Sequence, residues 1–509
     1  MNVCLIYPLV SAKRSKVDEN KQFWPPLGLA YIAAVLEKHG HQALIIDRDL
    51  LLKENGLDFR KTDKDTLDLI ASFKPGFVGF SVTTPNVSDA SYVATLVKKE
   101  FPGITTVIGG PHCIGEPILT LEKCPAIDIL ARGEGENTML ELANLPVPIS
   151  IGTQTDGCAL SGVTGINYRD KKGKIVSNPD RQLIENLDTL PLPARHLLKM
   201  GSYLRPSRFT SRNLSLRTTH IFTARGCPYR CNYCSGPISF NGKVRYHSPA
   251  RVTSEIEHLI SEYSIEALYF AEDMFLANKK RAKEMLALFI AKGINKKVKW
   301  MAQLSTSIVD KEYLELMKAA GCVHVEYGFE SGSQRILDLM NKKTTVAKNL
   351  MAAKMTQEVG LRFQGNIIAG YPGETEADFL KTIDFLKKTK PHNIGFNLFM
   401  PLPGSFIYNK LKEEGKKILD WDSIGDPETA QINYADMPKS KFEELYLTAR
   451  LKVILPINLY YFIKDNIKNP FRMIYVGATQ FKGVVVKTVR AMLRLRKLKR
   501  EKPGNYLTE

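Results

Sequence analysis

The stretch TARGCPYRCNYCSG, residues 223–236, places Cys227, Cys231 and Cys234 at the spacing C-x3-C-x2-C. A β-like run over 220–225 leads into it, so the thiols are expected in a loop at the mouth of a β/α layer. Three thiolates there can hold three irons of a four-iron four-sulfur cluster and leave the fourth iron open to a non-protein ligand. A structural zinc site wants four ligands, typically in two paired clusters. His220 or His247 could supply a fourth, but no second cysteine pair lies nearby.

Downstream of the cysteines the sequence alternates strand and helix. Strands are expected at 267–271, 299–304, 323–329, 362–369 and 393–399. Helices are expected between them, near 251–263, 279–292, 310–320, 346–359 and 375–389. With 220–225 this makes six β/α units in about 190 residues, which predicts a partial barrel rather than a closed eight-fold one. Upstream, the first 145 residues also alternate. VCLIYPL (3–9), ALIID (43–47), GFVGFSV (76–82), TTVIGG (105–110) and IDILARGEGE (127–136) read as strands, with helices at 28–39, 90–101 and 137–144. The continuous apolar runs suit strands covered on both faces. A doubly wound α/β sheet of this kind binds ligands at the carboxyl ends of its strands. Residues 146–215, rich in Pro, Gly and Thr, read as a linker with a little strand structure. The chain therefore divides into a Rossmann-like domain (1–145), a linker (146–215), a partial barrel (216–412) and a helical basic region (413–509).

Composition narrows the function classes. The 509 residues are 44% hydrophobic and 24% charged, as in an ordinary globular protein of about three domains. MNVCLIYPLV has no basic n-region and no small-residue cleavage site, so it is not expected to be a secretory signal. The longest stretch without Asp, Glu, Lys or Arg, Pro391 to Asn409, contains three prolines and predicts no membrane-spanning helix. Eight cysteines in so long a chain suit a reducing cytosol. Cys4, Cys113, Cys124, Cys158 and Cys322 are expected to be buried small residues.

The formal charge is +18, and residues 482–502 hold nine basic residues and one acidic residue. Val485, Val489, Met492 and Leu493 form a stripe at helical spacing there. A basic amphipathic helix can lie on an anionic membrane, and a solvated terminal helix is the plainer alternative. Nucleic acid is the least supported partner, because few aromatics interleave with the charges.

The cysteine stretch resembles the signature of radical S-adenosylmethionine (SAM) enzymes, and Tyr233, just before the last cysteine, fits that pattern. YFAEDMF (269–275), VEYGFESGSQRIL (325–337), GNIIAGYPGET (365–375) and FNLFMPLPGS (396–405) resemble the family's later strand motifs in the right order. The resemblance implies a cluster that binds SAM at its open iron and cleaves it to a 5′-deoxyadenosyl radical, with an external low-potential electron donor. Tyr233, Glu272, Asp273, Glu330 and Ser331 are then expected near SAM. For Asp273 and Glu330 the competing role is a helix cap. The region after the third strand, AQLSTS (302–307), lacks the Arg that many relatives carry.

PPLGLAYIAAVLEKHG, GFSVTT, VIGGPH and LARGEGENTMLEL resemble the cobalamin-binding domain of the cobalamin-dependent branch of that family. Ser81, Thr83 and Thr84 are expected to hydrogen-bond the corrin's nucleotide tail. Gly109 and Gly110 would let the backbone approach it, and Gly133 and Glu134 would line the next crevice. IIDRDLLLKENG, after the second strand, has no His, so none from this loop can ligate cobalt. The branch includes methyltransferases, ring-forming enzymes and an anaerobic porphyrin cyclase. Methyl transfer to an unactivated carbon of a small or lipid-like metabolite is the leading expectation. A cyclase or oxidoreductase without methyl transfer, and a non-catalytic cobalamin- or metal-binding protein, are the alternatives. A methylthiotransferase is disfavoured, because the usual second set of cluster cysteines is missing from the N-terminal domain.

Overall fold

A computed structural model describes the chain except for residues 11–22, 146–155, 171, 205, 208–215, 425–431, 467–487, 497 and 499–509. Two compact units account for it. The first comprises Met1–Arg205, Arg217–Glu266 and Met400–Thr429; the second comprises Pro206–Leu216, Ala267–Phe399 and Ala430–Glu509.

The first unit is built on a seven-stranded sheet, in the spatial order Gln42–Asp47, Asn2–Tyr7, Phe77–Ser81, Thr105–Gly109, Ile129–Ala131, Ile166–Arg169 and Ile175–Ser177. The first five strands run parallel and the last two are antiparallel. The parallel part has the order 2-1-3-4-5, whose switch point lies between the first and third strands. The apolar runs explain the burial: Cys4, Ile6, Val78, Phe80, Ile108 and Leu130 pack into one core with Val93 and Val97 of the helix Val87–Glu100. The last two strands come from the segment expected to be a linker, and they extend the sheet at its far edge.

One helix, Phe59–Phe73, is not anticipated by the sequence pattern. Its buried face is Thr62, Asp63, Thr66 and Ile70, with Leu67 and Phe73 packed partly buried against the core. Charge holds it as well. The fully buried Arg48 donates to Asp63 at 2.7 Å, to Asp89 at 3.0 Å and to Thr66 at 2.9 Å. Paired this way, its donors are not left orphaned in the core.

The second unit carries five parallel strands, Ala267–Phe270, Lys299–Leu304, Cys322–Glu330, Arg362–Ala369 and Asn393–Leu398. Helices Lys279–Ala291, Lys311–Ala319, Val346–Val359 and Glu376–Thr389 follow the first four. Phe270, Phe275, Phe289 and Trp300 form one aromatic cluster, and Tyr327, Phe329, Phe363 and Phe385 form another. Between these rows, the register aligns Gln303, Glu326, Gln364 and Asn393 across four strands. These five strands and four helices fit the partial barrel expected from the sequence; its first strand, Leu216–Ile221, belongs to the same sheet.

The strand leading to the cysteines starts earlier than its pattern suggests, at Leu216–Ile221, where Thr218 and Thr219 are buried. Residues Ala224–Arg225 instead turn back and pair antiparallel with Arg245–Tyr246.

Candidate functional site

The cysteine loop is closed at its base by that small antiparallel pair. Gly226 makes the closure possible. Its φ is +106°, and a Cβ there would stand 2.1 Å from the carbonyl oxygen of Lys243. No L-residue side chain fits such an approach. Beyond it Cys227, Cys231, Tyr233 and Cys234 are half-buried. The N–H of Cys234 donates to the carbonyl of Cys231 at 3.2 Å. The N–H of Gly236 donates to Cys234 Sγ at 3.3 Å, a contact that favours the thiolate. The Asn232 carbonyl accepts from the N–H of Ile407 at 3.0 Å.

Neither histidine weighed as a fourth zinc ligand is poised for it. His247 Nδ1 meets Asp188 Oδ1 at 3.0 Å, and its ring stacks near Tyr31. Burial pushes the His220 imidazole down to about 3, and its ring packs on Trp24 and Phe222. Among the described residues no three His, Cys, Asp or Glu side chains are placed to share one metal ion. A four-iron cluster makes no such demand, because each thiolate takes its own iron. The donor set thus fits the cluster and not a mononuclear zinc.

The remaining cysteines are apart from this chemistry. Cys4, Cys113, Cys124 and Cys322 are buried, and burial pushes each thiol up. The side chain of Cys158 lies outside the described residues.

The residues expected at the corrin tail gather at the carboxyl ends of the parallel strands. Ser81 and Gly109 are register partners on adjacent strands. Thr83 is exposed, whereas Thr84 is buried with its hydroxyl 3.1 Å from His112 Nδ1. Gly110 has φ +109°, and a Cβ there would lie 2.5 Å from the Val82 carbonyl oxygen. Two buried polar groups beside these loops were missed by sequence reasoning. Both side-chain polar atoms of Asn86, and Nε2 of His112, have no hydrogen-bond partner among the described residues. Burial lowers His112 to about 4, so it is neutral at pH 7. Buried polar atoms left unmatched cost stability, and a polar nucleotide tail would satisfy them. The crevice fits the cofactor on that ground.

Gly133 and Glu134 stand at the end of Ile129–Ala131 and begin the helix Gly135–Ala143. Both carboxylate oxygens of Glu134 are engaged. Oε1 accepts from Arg225 at 2.8 Å, and Oε2 accepts from Arg245 at 2.7 Å. Burial alone would raise this carboxyl, but the hydrogen bonds and charges of Arg245 and Arg225 outweigh it and hold it below the usual range.

In the second unit, Glu272 is buried and Asp273 is exposed, just past the carboxyl end of Ala267–Phe270. The capping role for Asp273 is removed, because Asn278 caps the helix Lys279–Ala291. Glu330 ends its strand at a register irregularity, with φ +59° and its carboxylate 2.9 Å from Lys342 Nζ. It does not cap a helix either; Ser333 holds the N-cap position of Gln334–Leu339. A non-glycine residue held at positive φ is a common mark of a functional position. Ser331, fully buried, accepts from the N–H of Ser333 at 3.1 Å, and its hydroxyl lies 3.1 Å from that of Thr382.

Comparison with known proteins agrees with both halves. Residues 221–386 match the Radical SAM superfamily, and residues 16–143 match the B12 binding domain. An uncharacterized methyltransferase from Pyrococcus horikoshii is 34% identical over 75% of this chain and 78% of its own length. An anaerobic magnesium-protoporphyrin IX monomethyl ester cyclase from Rubrivivax gelatinosus is 27% identical over 81% of this chain and 70% of its own. The solved structure of TsrM from Kitasatospora setae, a radical SAM methyltransferase with cobalamin and a [4Fe-4S] cluster bound, superimposes with a TM-score of 0.65. It covers 81% of this chain and 78% of TsrM at 20% identity, which establishes the shared fold. With the thiol loop, the glycine-lined crevice and the partial barrel all in place, the chain belongs to the radical SAM superfamily, in the branch that carries a B12-binding domain.

Proposed function

We propose that this enzyme transfers a methyl group to an unactivated carbon of a small or lipid-like metabolite. The observation that carries the joint use of cluster and corrin is that the thiol loop and the glycine-lined crevice belong to the same compact unit; the Pyrococcus horikoshii relative, named a methyltransferase, favours methyl transfer as the outcome. Cys227, Cys231 and Cys234 hold the cluster. Tyr233, Glu272, Asp273, Glu330 and Ser331 shape the SAM site. Ser81, Thr83, Thr84, Gly109, Gly110, Gly133 and the backbone of Glu134 flank the corrin tail. When bound, the cluster supplies the low-potential electron that cleaves SAM, and the corrin supplies the methyl group. The protein positions the reactants and keeps water away.

The test is anaerobic incubation of the reconstituted chain with methyl-deuterated SAM and a reductant. Both S-adenosylhomocysteine and 5′-deoxyadenosine are expected as products. Formation of 5′-deoxyadenosine alone would favour the cyclase-like reading, for which the Rubrivivax relative is the precedent.

The site of action extends the proposal. In the helical segment 488–496, Val489, Met492 and Leu493 are exposed beside Arg490, Arg494 and Arg496. Leu459, Tyr460 and Ile463 of Leu455–Asn466 are exposed too. Apolar residues with interleaved arginines suit the face of an anionic bilayer. Val485 and all five lysines of residues 482–502 lie outside the described residues. No described helix is long and apolar enough to cross a membrane; the contact proposed is a peripheral one, on the cytoplasmic side. Binding to anionic liposomes should fall when the chain is truncated at 481; equal binding at low salt removes the tail from the account.

A further inference from the structure

The two ends of the thiol loop are held by one carboxylate from another part of the chain. Arg225 stands two residues before Cys227, and Arg245 lies in the returning strand after Cys234. Glu134 takes one with each oxygen, at 2.8 and 2.7 Å. Glu136 adds a second acceptor for Arg225 at 2.6 Å. The side chains of Glu134, Glu136 and Arg245 are each at most 7% exposed. The arrangement is fixed further on both sides. Ile184 N–H donates to Glu134 at 2.8 Å, while Arg245 donates to the Ile184 carbonyl at 2.8 Å. Arg225 lies over the Tyr31 ring at 5.2 Å, and Arg245 lies over the Phe240 ring at 5.7 Å. The Ala224–Arg225 ladder has only two register pairs, too few to hold a loop alone.

We propose that Glu134, seconded by Glu136, is a positioning residue for the cluster: it clasps Arg225 to Arg245 and sets the geometry in which the three thiols meet the irons. The turn that closes the cobalamin-type crevice thereby fixes the cluster loop as well. A buried charge set is strongly destabilised when one member is removed, because the others remain desolvated and unpaired. Loop geometry around the sulfurs in turn sets the electronic signature of a cluster. The inference rests on the three cysteines being the cluster ligands.

The test uses the full chain, reconstituted anaerobically with iron, sulfide and hydroxocobalamin. In Glu134→Gln the electron paramagnetic resonance line shape of the reduced cluster changes. Iron passes to a chelator about tenfold faster or more, as leaving the buried Arg245 without its carboxylate would give; hydroxocobalamin binding as in the wild type is expected of Arg225→Lys. Arg225→Lys, which keeps the charge but cannot span two carboxylates, gives a smaller change of the same sign. It also decides the matter if Glu134→Gln does not fold. Wild-type line shape and iron loss in the folded variants overturn the proposal. So does a Glu134→Gln chain that loses corrin affinity with its cluster signature intact. Cys231→Ala separates the underlying assumption: if it keeps wild-type iron content, the ligand assignment fails, whatever the clasp variants do.

Discussion

The thiol loop and the corrin crevice solve the same backbone problem with the same residue. Gly226 and Gly110 have nearly equal positive φ, +106° and +109°, and each brings its backbone against a carbonyl oxygen that a Cβ would strike. They differ in what surrounds the turn. The crevice is lined by neutral groups, among them Thr84, His112 and Asn86, with buried polar atoms unmatched. The thiol loop is gripped by a charged clasp, in which Glu134 and Glu136 pair with Arg225 and Arg245. One site offers neutral groups to a ligand that hydrogen-bonds; the other is braced by ion pairs for a cluster that must not shift.

The largest effect that could break this contrast is Cys231→Ala. It should abolish SAM cleavage, measured as 5′-deoxyadenosine, while hydroxocobalamin still binds. Next come the two glycines. Gly226→Ala should lose iron and spare the corrin, whereas Gly110→Ala should weaken hydroxocobalamin binding about tenfold or more and spare the iron. Each alanine would add about 1–2 kcal/mol of backbone strain to a direct overlap. Iron analysis and absorbance titration read the pair, and a swap of the two outcomes would dissolve the distinction.

A smaller effect concerns stability in the first unit. Arg48→Met leaves Asp63 and Asp89 buried without their cation and should cost about 3–5 kcal/mol in denaturant unfolding. The exposed Lys64–Asp68 pair should contribute nothing measurable when Lys64 is replaced by Ala.

A pH effect is expected in the second unit. Burial raises the Glu374 carboxyl to about 8. A carboxyl whose folded pKa exceeds its unfolded value, about 4.3, costs the fold progressively as pH rises between the two. Glu374→Gln removes that cost, so its Tm should gain on the wild type between pH 5 and pH 8. A gap that stays constant over that interval would contradict the assignment.

Local patterns carried much of this architecture into the sequence. Apolar runs of strand length and the cysteine spacing are local, and the five strands and the four helices between them in the second unit fall within a few residues of their expected limits. What stayed hidden was carried by residues far apart in the chain. The helix Phe59–Phe73 presents threonines and an aspartate to the core beside Leu67, Ile70 and Phe73, and Arg48, distant in the chain, supplies the reason for the polar ones. The clasp joins Glu134 to Arg225 and Arg245 across some ninety and more residues, and no local pattern marks such a pair. Asp273 and Glu330 could not be separated from helix caps by pattern alone; Asn278 and Ser333, which hold the N-cap positions, separate them.

The central claim is that one chain carries both a cluster and a corrin. Anaerobic reconstitution of the wild type and Cys231→Ala with iron, sulfide and hydroxocobalamin tests it most directly. The wild type should hold about four irons per chain and show a corrin band after desalting, while Cys231→Ala should keep the corrin band and lose the cluster. A wild-type chain with no corrin band, or a Cys231→Ala chain with its cluster intact, would contradict the account.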